Sequence, residues 1–277
     1  MPHIAIFGPG LLGGSIALKL RELGGWHIGL WARRAAALDD LRARGLADVV
    51  SSDISEIARD ADLVVLCVPV GAMGALAAEI ARFIKPSCVV TDVGSVKASV
   101  LSELTPLFGG QFIGSHPMAG KAESGIDAAE AGLFADTSCI ITSPSAIVQS
   151  FWETLGCRVV ELSAREHDEC VALISHLPHI VAGNLIRAVA EKNAAAFEIV
   201  GPGFRDSTRV ASGPPELWTG IISANQPAII SAIDAMIAKL TDFRQMLARV
   251  ANEGGQQELN NFLTAAKQTR DTIKFPK

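Results

Sequence analysis

His3-Ile4-Ala5-Ile6-Phe7-Gly8-Pro9-Gly10-Leu11-Leu12-Gly13-Gly14-Ser15-Ile16-Ala17 places an apolar run, a glycine turn and an apolar-striped helical pattern end to end. The run His3–Phe7 reads as a strand, and Leu11–Leu23 reads as the helix that follows it. Between them Gly8, Gly10 and Gly13 fall at G-x-G-x-x-G spacing. That spacing carries weight because it joins a strand to a helix at the start of a βαβ unit. Gly8 permits the tight turn, Gly10 lets the backbone approach a pyrophosphate, and Gly13 allows close helix–strand packing. The helix start at Leu11 and Leu12 then turns its free amides toward the anion.

Outward from this turn, short apolar runs alternate with helical patterns. Further strands are expected at His27–Trp31, Leu63–Val68, Cys88–Thr91, Gln111–Gly114, Cys139–Thr142 and Arg158–Glu161. Helices are expected at Ala35–Arg44, Ala72–Phe83 and Lys97–Leu104. Strands alternating with helices imply an α/β Rossmann-type domain with a mainly parallel sheet covered on both faces. From Glu166 onward the strand signal ends and helical periodicity dominates, broken at Gly201-Pro202-Gly203 and Gly213-Pro214-Pro215. The chain is therefore read as a nucleotide-binding domain over 1–165 and an all-α domain over 166–277. Within the latter, Ile229, Ile233, Met236, Leu240, Phe243, Leu247 and Val250 make a heptad seam, and Ile230 and Ile237 add a second stripe. One helical domain has little to cover two stripes, so a homodimer is expected through it.

The chain has 277 residues, 49% of them hydrophobic and 19% charged, which suits a well-packed globule. A net charge of −5 speaks against nucleic acid or an anionic membrane as partner, since both demand basic surface. Cys67, Cys88, Cys139, Cys157 and Cys170 stand far apart without a C-x-x-C pair and read as reduced thiols, with no structural metal expected. The N-terminus runs straight into the first strand, with no room for a signal peptide, and no stretch reads as an uninterrupted apolar span. A cytoplasmic protein is expected.

The second strand ends Leu30-Trp31-Ala32-Arg33-Arg34. An acidic residue there would bond the ribose 2′-hydroxyl of NAD. Two guanidiniums stand in its place, where they suit a 2′-phosphate, so NADP is favoured over NAD. Val68 and Pro69 end one central strand, and Asp92-Val93-Gly94-Ser95 ends the next. Both should line the nicotinamide end of a cleft beyond the strands' carboxyl ends.

Three further segments place polar groups where a core would exclude them. They are Gly114-Ser115-His116-Pro117-Met118-Ala119-Gly120, Ser175-His176-Leu177-Pro178-His179 and Gly203-Phe204-Arg205-Asp206-Ser207-Thr208-Arg209. Singly each has a plain structural explanation, such as a turn histidine or a helix salt-bridge network. Together with the glycine turn and Asp92-Val93-Gly94-Ser95-Val96-Lys97, they follow the order found in prephenate/arogenate dehydrogenases, which the chain resembles from the first strand to at least Trp218.

The resemblance implies a nicotinamide nucleotide bound in the first domain and dimerisation through the second. It implies oxidation of the carbinol of prephenate or arogenate, loss of carbon dioxide and aromatisation, giving 4-hydroxyphenylpyruvate or tyrosine. By the same resemblance His116 takes the hydroxyl proton. Ser95 bonds that hydroxyl or orients His116, and meets the nicotinamide. Arg209 holds a carboxylate, His179 and Ser115 contact substrate, and Arg205 with Asp206 fixes the helix bearing Arg209. A near-neutral histidine suits the base role, and a guanidinium suits a carboxylate. Where many prephenate-specific members have glutamate, this chain has Ala122, with Glu123 one place later. Gly125-Ile126-Asp127-Ala128-Ala129-Glu130 and Arg33-Arg34 look more like NADP-dependent arogenate users.

Two other readings share the architecture. A β-hydroxyacid-type dehydrogenase relies on a lysine in the first long helix of the second domain, where this chain offers His176 and His179, with Lys192 near the end. A non-catalytic nucleotide sensor would keep Gly8, Gly10 and Gly13 but has no use for His116, Ser95 and Arg209.

Overall fold

Every residue of the first strand after His3 is buried, and alternate side chains serve different cores. In the computed structural model, which describes residues 1–121 and 123–273, β1 (His3–Phe7) sends Ile4 and Ile6 into one hydrophobic cluster and Ala5 and Phe7 into another. A strand buried on both faces belongs in the middle of a parallel sheet. β1 pairs in parallel with β2 (His27–Trp31) on one side and β4 (Leu63–Leu66) on the other. β3 (Val49–Ser51), β5 (Val89–Asp92) and β6 (Phe112–Ile113) complete a six-stranded parallel sheet of order β3-β2-β1-β4-β5-β6. Phe7 lies level with both Trp31 and Leu66, so Gly8, Ala32 and Cys67 meet at the carboxyl edge.

The crossovers are α1 (Leu11–Leu23), α2 (Leu38–Ala43), α3 (Ile54–Ala58), α4 (Val70–Ile80) and α5 (Ala98–Phe108). α1 has the residues read from its apolar stripe. The expected helix Ala35–Arg44 is a 3₁₀ turn, Ala35–Ala37, leading into α2. The segment after β6 departs from the expected parallel pattern. β7 (Ser115–Pro117) leaves the main sheet and pairs antiparallel with β8 (Ser138–Ile141), which runs parallel to β9 (Arg158–Glu161). α6 (Ala146–Thr154) joins β8 to β9 and buries Phe151 and Trp152. This three-stranded sheet sets His116 opposite Ile140.

After β9 the chain is helical. α7 (Ala164–Val171) starts at a capping box in which Ser163 and Glu166 satisfy each other's backbone amides. A π-turn, Ala172–His176, leads into α8 (Leu177–Asn193). Pro178 lies just after this π-turn, where the wider turn interrupts the regular α-helical ladder. α9 (Pro202–Thr208), α10 (Pro215–Ala224), α11 (Gln226–Ala248) and α12 (Gly255–Thr272) follow. The helical run Ala164–Ile199 is long and apolar enough to cross a membrane by length and composition alone. It also carries the ionised Asp168, which lipid penalises heavily.

By compactness the chain forms one unit over Met1–Gln226 and another over Pro227–Lys277. The reason lies in α7 and α10. Asp168 bonds the backbone of Lys97 and Ala98, and Ile221 joins, with Trp218 packed against it, one of the hydrophobic clusters of the sheet, so these helices complete the α/β unit. In the second unit α11 meets α12 through the Phe243 and Phe262 rings, 5.1 Å apart. Ile230, Ile237, Leu240 and Leu247 on α11 are exposed in the single chain.

Candidate active site

The glycine turn is shaped by contacts that a side chain would break. Gly8 has φ +116°, and a Cβ there would lie 2.7 Å from the Cys67 carbonyl oxygen. A Cβ on Gly13 would come within 2.1 Å of the Gly8 carbonyl oxygen, so α1 packs directly on the turn. Gly10, by contrast, faces open space, with nothing within 4 Å of its would-be Cβ. The first turn of α1 has no side-chain cap and no acidic residue. Its amides at Leu11, Leu12 and Gly13 are thus left for an anion, and the residues present fit a dinucleotide pyrophosphate. Val68 closes on Gly8 from the end of β4, with Pro69 capping α4. Arg33 and Arg34 are exposed just beyond β2, and their guanidiniums make no hydrogen bond or ion pair among the described residues. Two free guanidiniums there suit a 2′-phosphate.

Beneath the cleft lies a buried polar network invisible in the sequence. Lys97 and Asp92 are both fully buried and form an ion pair. Lys97 Nζ also donates to the Ser115 carbonyl at 2.8 Å, while the Asp92 carboxylate accepts from the Ser115 amide at 3.0 Å and the Gly94 amide at 2.8 Å. The pair ties the Gly94–Lys97 loop to the strand bearing His116. Ser115 was expected to touch substrate. It does not: it is 0% exposed, and its hydroxyl is shared among the Asp92 carbonyl, Thr91 and the Trp152 indole N–H. Its β7 position points it inward, opposite to His116.

His116 is 8% exposed at the carboxyl edge. Its Nδ1 lies 2.8 Å from Nε2 of His167, whose Nδ1 lies 2.7 Å from Asp168 Oδ1. Asp168 in turn accepts from the Lys97 amide at 2.7 Å and the Ala98 amide at 2.8 Å. His167 thus holds His116 in place; Ser95 was expected to bond the substrate hydroxyl or to orient His116. Ser95 is half-buried, and its hydroxyl makes no hydrogen bond among the described residues. Burial, then the positive potentials of His167, Lys97 and His176, push His116 well below the ordinary 6.5. A base must be neutral to accept a proton, so a lowered value keeps it competent as pH falls. The expected result is kcat/KM that stays level down through pH 6.5, with its acid limb below that value. A limb centred at or above 6.5 would show that His116 is not the titrating base.

His176 is within electrostatic reach of both His116 and His179. Burial pushes it down to about 4. Asn225 donates to its Nδ1 at 3.2 Å and to the Asp168 carbonyl at 2.9 Å. His179 stacks on Trp218, with ring centroids 3.5 Å apart and planes 12° apart. Its Nδ1 and Ser99 Oγ are the buried side-chain atoms without a partner among the described residues. Arg209 opens a 3₁₀ turn packed against α8, and its exposed guanidinium has no ion pair among the described residues. Arg205 and Asp206 pair with each other at 3.1 Å on the surface and do not hold Arg209. The segment Ile126–Glu130 packs on α1 at Gly14 and Ser15, whereas Ala122 lies outside the described residues.

His167, Asp168 and Asn225 were not singled out from the sequence, and Asp92 and Lys97 only as the ends of a motif, without a role. The available signal was the Ser163–Glu166 capping box, which marks a helix start and makes His167-Asp168 its first inward-facing turn.

Comparison with known proteins agrees with this geometry. The model of the prephenate dehydrogenase nucleotide-binding domain matches residues 16–161, and that of the prephenate dehydrogenase dimerization domain matches 163–268. A cyclohexadienyl dehydrogenase of Zymomonas mobilis is 37% identical, with 96% of this chain and 94% of the relative aligned. The structure of Aquifex aeolicus prephenate dehydrogenase in complex with hydroxyphenyl propionate and NAD+ superposes with a TM-score of 0.90 at 28% identity, covering 99% of each chain. Synechocystis arogenate dehydrogenase gives 0.85 at 31% identity, covering 97% of this chain and 99% of the other. The chain belongs to the prephenate dehydrogenase family, whose members oxidatively decarboxylate prephenate or arogenate on the route to tyrosine.

Proposed function

We propose that this chain oxidises both arogenate and prephenate, arogenate the better, with NADP preferred over NAD, as a cytoplasmic homodimer assembled through its C-terminal helices. The observation that carries the reading is His116, a buried histidine with one ring nitrogen committed to His167 and the other without a hydrogen bond among the described residues. The nicotinamide nucleotide, when bound, accepts the hydride from the carbinol carbon. His116 Nε2 takes the hydroxyl proton as that hydride departs, and Ser95 bonds the same oxygen. Arg209 holds a carboxylate through paired charge-assisted hydrogen bonds, and His179 adds a hydrogen bond to substrate nearby. Loss of carbon dioxide and aromatisation make the step favourable without a metal.

The arogenate preference rests on Ala122 in place of glutamate and on the Gly125–Glu130 stretch. The exposed Ile230, Ile237, Leu240 and Leu247 supply the dimer surface. The NADP preference rests on Arg33 and Arg34. Changing both to alanine should weaken NADP binding by roughly 10–100-fold, the worth of a charge-assisted phosphate contact, while leaving NAD binding nearly unaltered. Titration of intrinsic fluorescence with each nucleotide measures this. Equal weakening of both, or of neither, would remove the arginines from cofactor choice.

A further inference from the structure

The chain His116–His167–Asp168 has only one direction in which its hydrogens can run if its histidines are neutral. Asp168 is 5% exposed, and its two oxygens accept the Lys97 and Ala98 amides, so the carboxyl is held as an acceptor. His167 must then donate its Nδ1–H to Asp168 Oδ1, across 2.7 Å. A neutral imidazole that donates at Nδ1 accepts at Nε2. His116 must therefore donate its Nδ1–H to His167, across 2.8 Å, which leaves a lone pair on His116 Nε2.

We propose that His167 and Asp168 are positioning residues that fix His116 as the tautomer able to act as base and spread the positive charge it acquires. The inference rests on the proposed role of His116 and extends it. In the step, the substrate O–H proton moves to His116 Nε2 and the carbinol C–H electron pair leaves as hydride. The ring cation so formed donates its Nδ1–H to His167, whose own Nδ1–H points at the Asp168 carboxylate. Burial opposes that cation, and Asp168 offsets it through two hydrogen bonds. The charged and titratable groups facing His116 are Lys97 with its partner Asp92 below, His167 and Asp168 on α7, His176 on the π-turn, and the Cys139 thiol on β8. Burial holds that thiol neutral, so Asp168 is the anion that addresses His116 through a hydrogen-bonded path.

Histidine ring ¹⁵N spectra of the wild-type protein test the assignment without any variant. A His116 Nε2 with the shift of an unprotonated nitrogen at neutral pH is expected; a protonated Nε2 would overturn the proposal, whatever the substrate proves to be. Asp168→Asn can turn an amide N–H toward His167 Nδ1 and reverse the chain. It is expected to lower kcat by roughly 10²–10⁴-fold with nucleotide affinity unchanged and to move the proton of His116 to Nε2. Asp168→Glu, which keeps the acceptor, should recover part of that loss. His167→Gln keeps an acceptor for His116 Nδ1 but cuts the link to Asp168, so a smaller loss of kcat with the ¹⁵N signature retained is expected. Wild-type kcat and an unmoved ¹⁵N signature in Asp168→Asn would leave the two residues a structural role only. Absence of turnover in the wild type would defeat the proposed reaction, while the ¹⁵N spectra would still decide the chain's direction.

Discussion

Replacing His116 with asparagine is expected to lower kcat by roughly 10²–10⁴-fold, the usual worth of a positioned acid–base group. Asparagine fills much of the same volume and can still accept or donate toward His167 Nε2, so β7 should keep its pairing with β8. The glycine turn is built from β1, α1 and Cys67, so the variant should bind nucleotide as the wild type does. The loss should fall on kcat, because a proton is taken from the substrate only as hydride leaves. Pre-steady-state traces of nicotinamide absorbance would measure the chemical step, and a calorimetric titration would measure nucleotide affinity. A variant that retains near wild-type turnover would remove His116 from the chemistry.

Lys97→Met is expected to produce the largest loss of stability of any single change near the site. It leaves the Asp92 carboxylate fully buried without its ammonium partner and deprives the Ser115 carbonyl of a donor. Burial lowers the lysine's proton affinity, yet Asp92 and Asp168 pull the other way, so the ammonium and its partner stand or fall together. Removing one member of such a pair costs about 3–5 kcal/mol. For a chain of this size that is a fall in Tm of roughly 10 °C, read by circular dichroism. Adding Asp92→Asn to Lys97→Met removes the orphaned charge and should restore part of the loss. A Tm within the scatter of the wild type would show that water or a rearrangement satisfies Asp92.

Those residues mark where the sequence was legible and where it was not. Leu11–Leu23 was readable to the residue because its helix starts at an uncapped glycine turn and ends at glycine, and its apolar stripe is unbroken. β3 escaped notice because it spans three residues and is recognised only by its pairing with β2. β7 escaped because Ser115-His116-Pro117 has no strand signature; its pairing with β8 comes from contacts more than twenty residues away in the chain. The same blindness hid the site's inner shell. His167-Asp168 in a capped first turn reads as a solvated helix start, and only the fold turns it inward to Lys97 and His116. Ser115 misled in the opposite sense, since an hydroxyl beside the base looks catalytic until the strand's alternation points it into the core. The expected boundary near 165 follows the change from strands to helices, where β9 ends at Glu161 and α7 begins at Ala164. Compactness follows packing instead, and α7 and α10 pack with the sheet.

The most direct test is the initial rate of nicotinamide reduction by the purified protein, with arogenate and prephenate each crossed with NADP and NAD. The expected result is turnover with both substrates, fastest with arogenate and NADP. No turnover in any combination, with nucleotide binding intact, would contradict the assignment of His116 as the base of an oxidative decarboxylation.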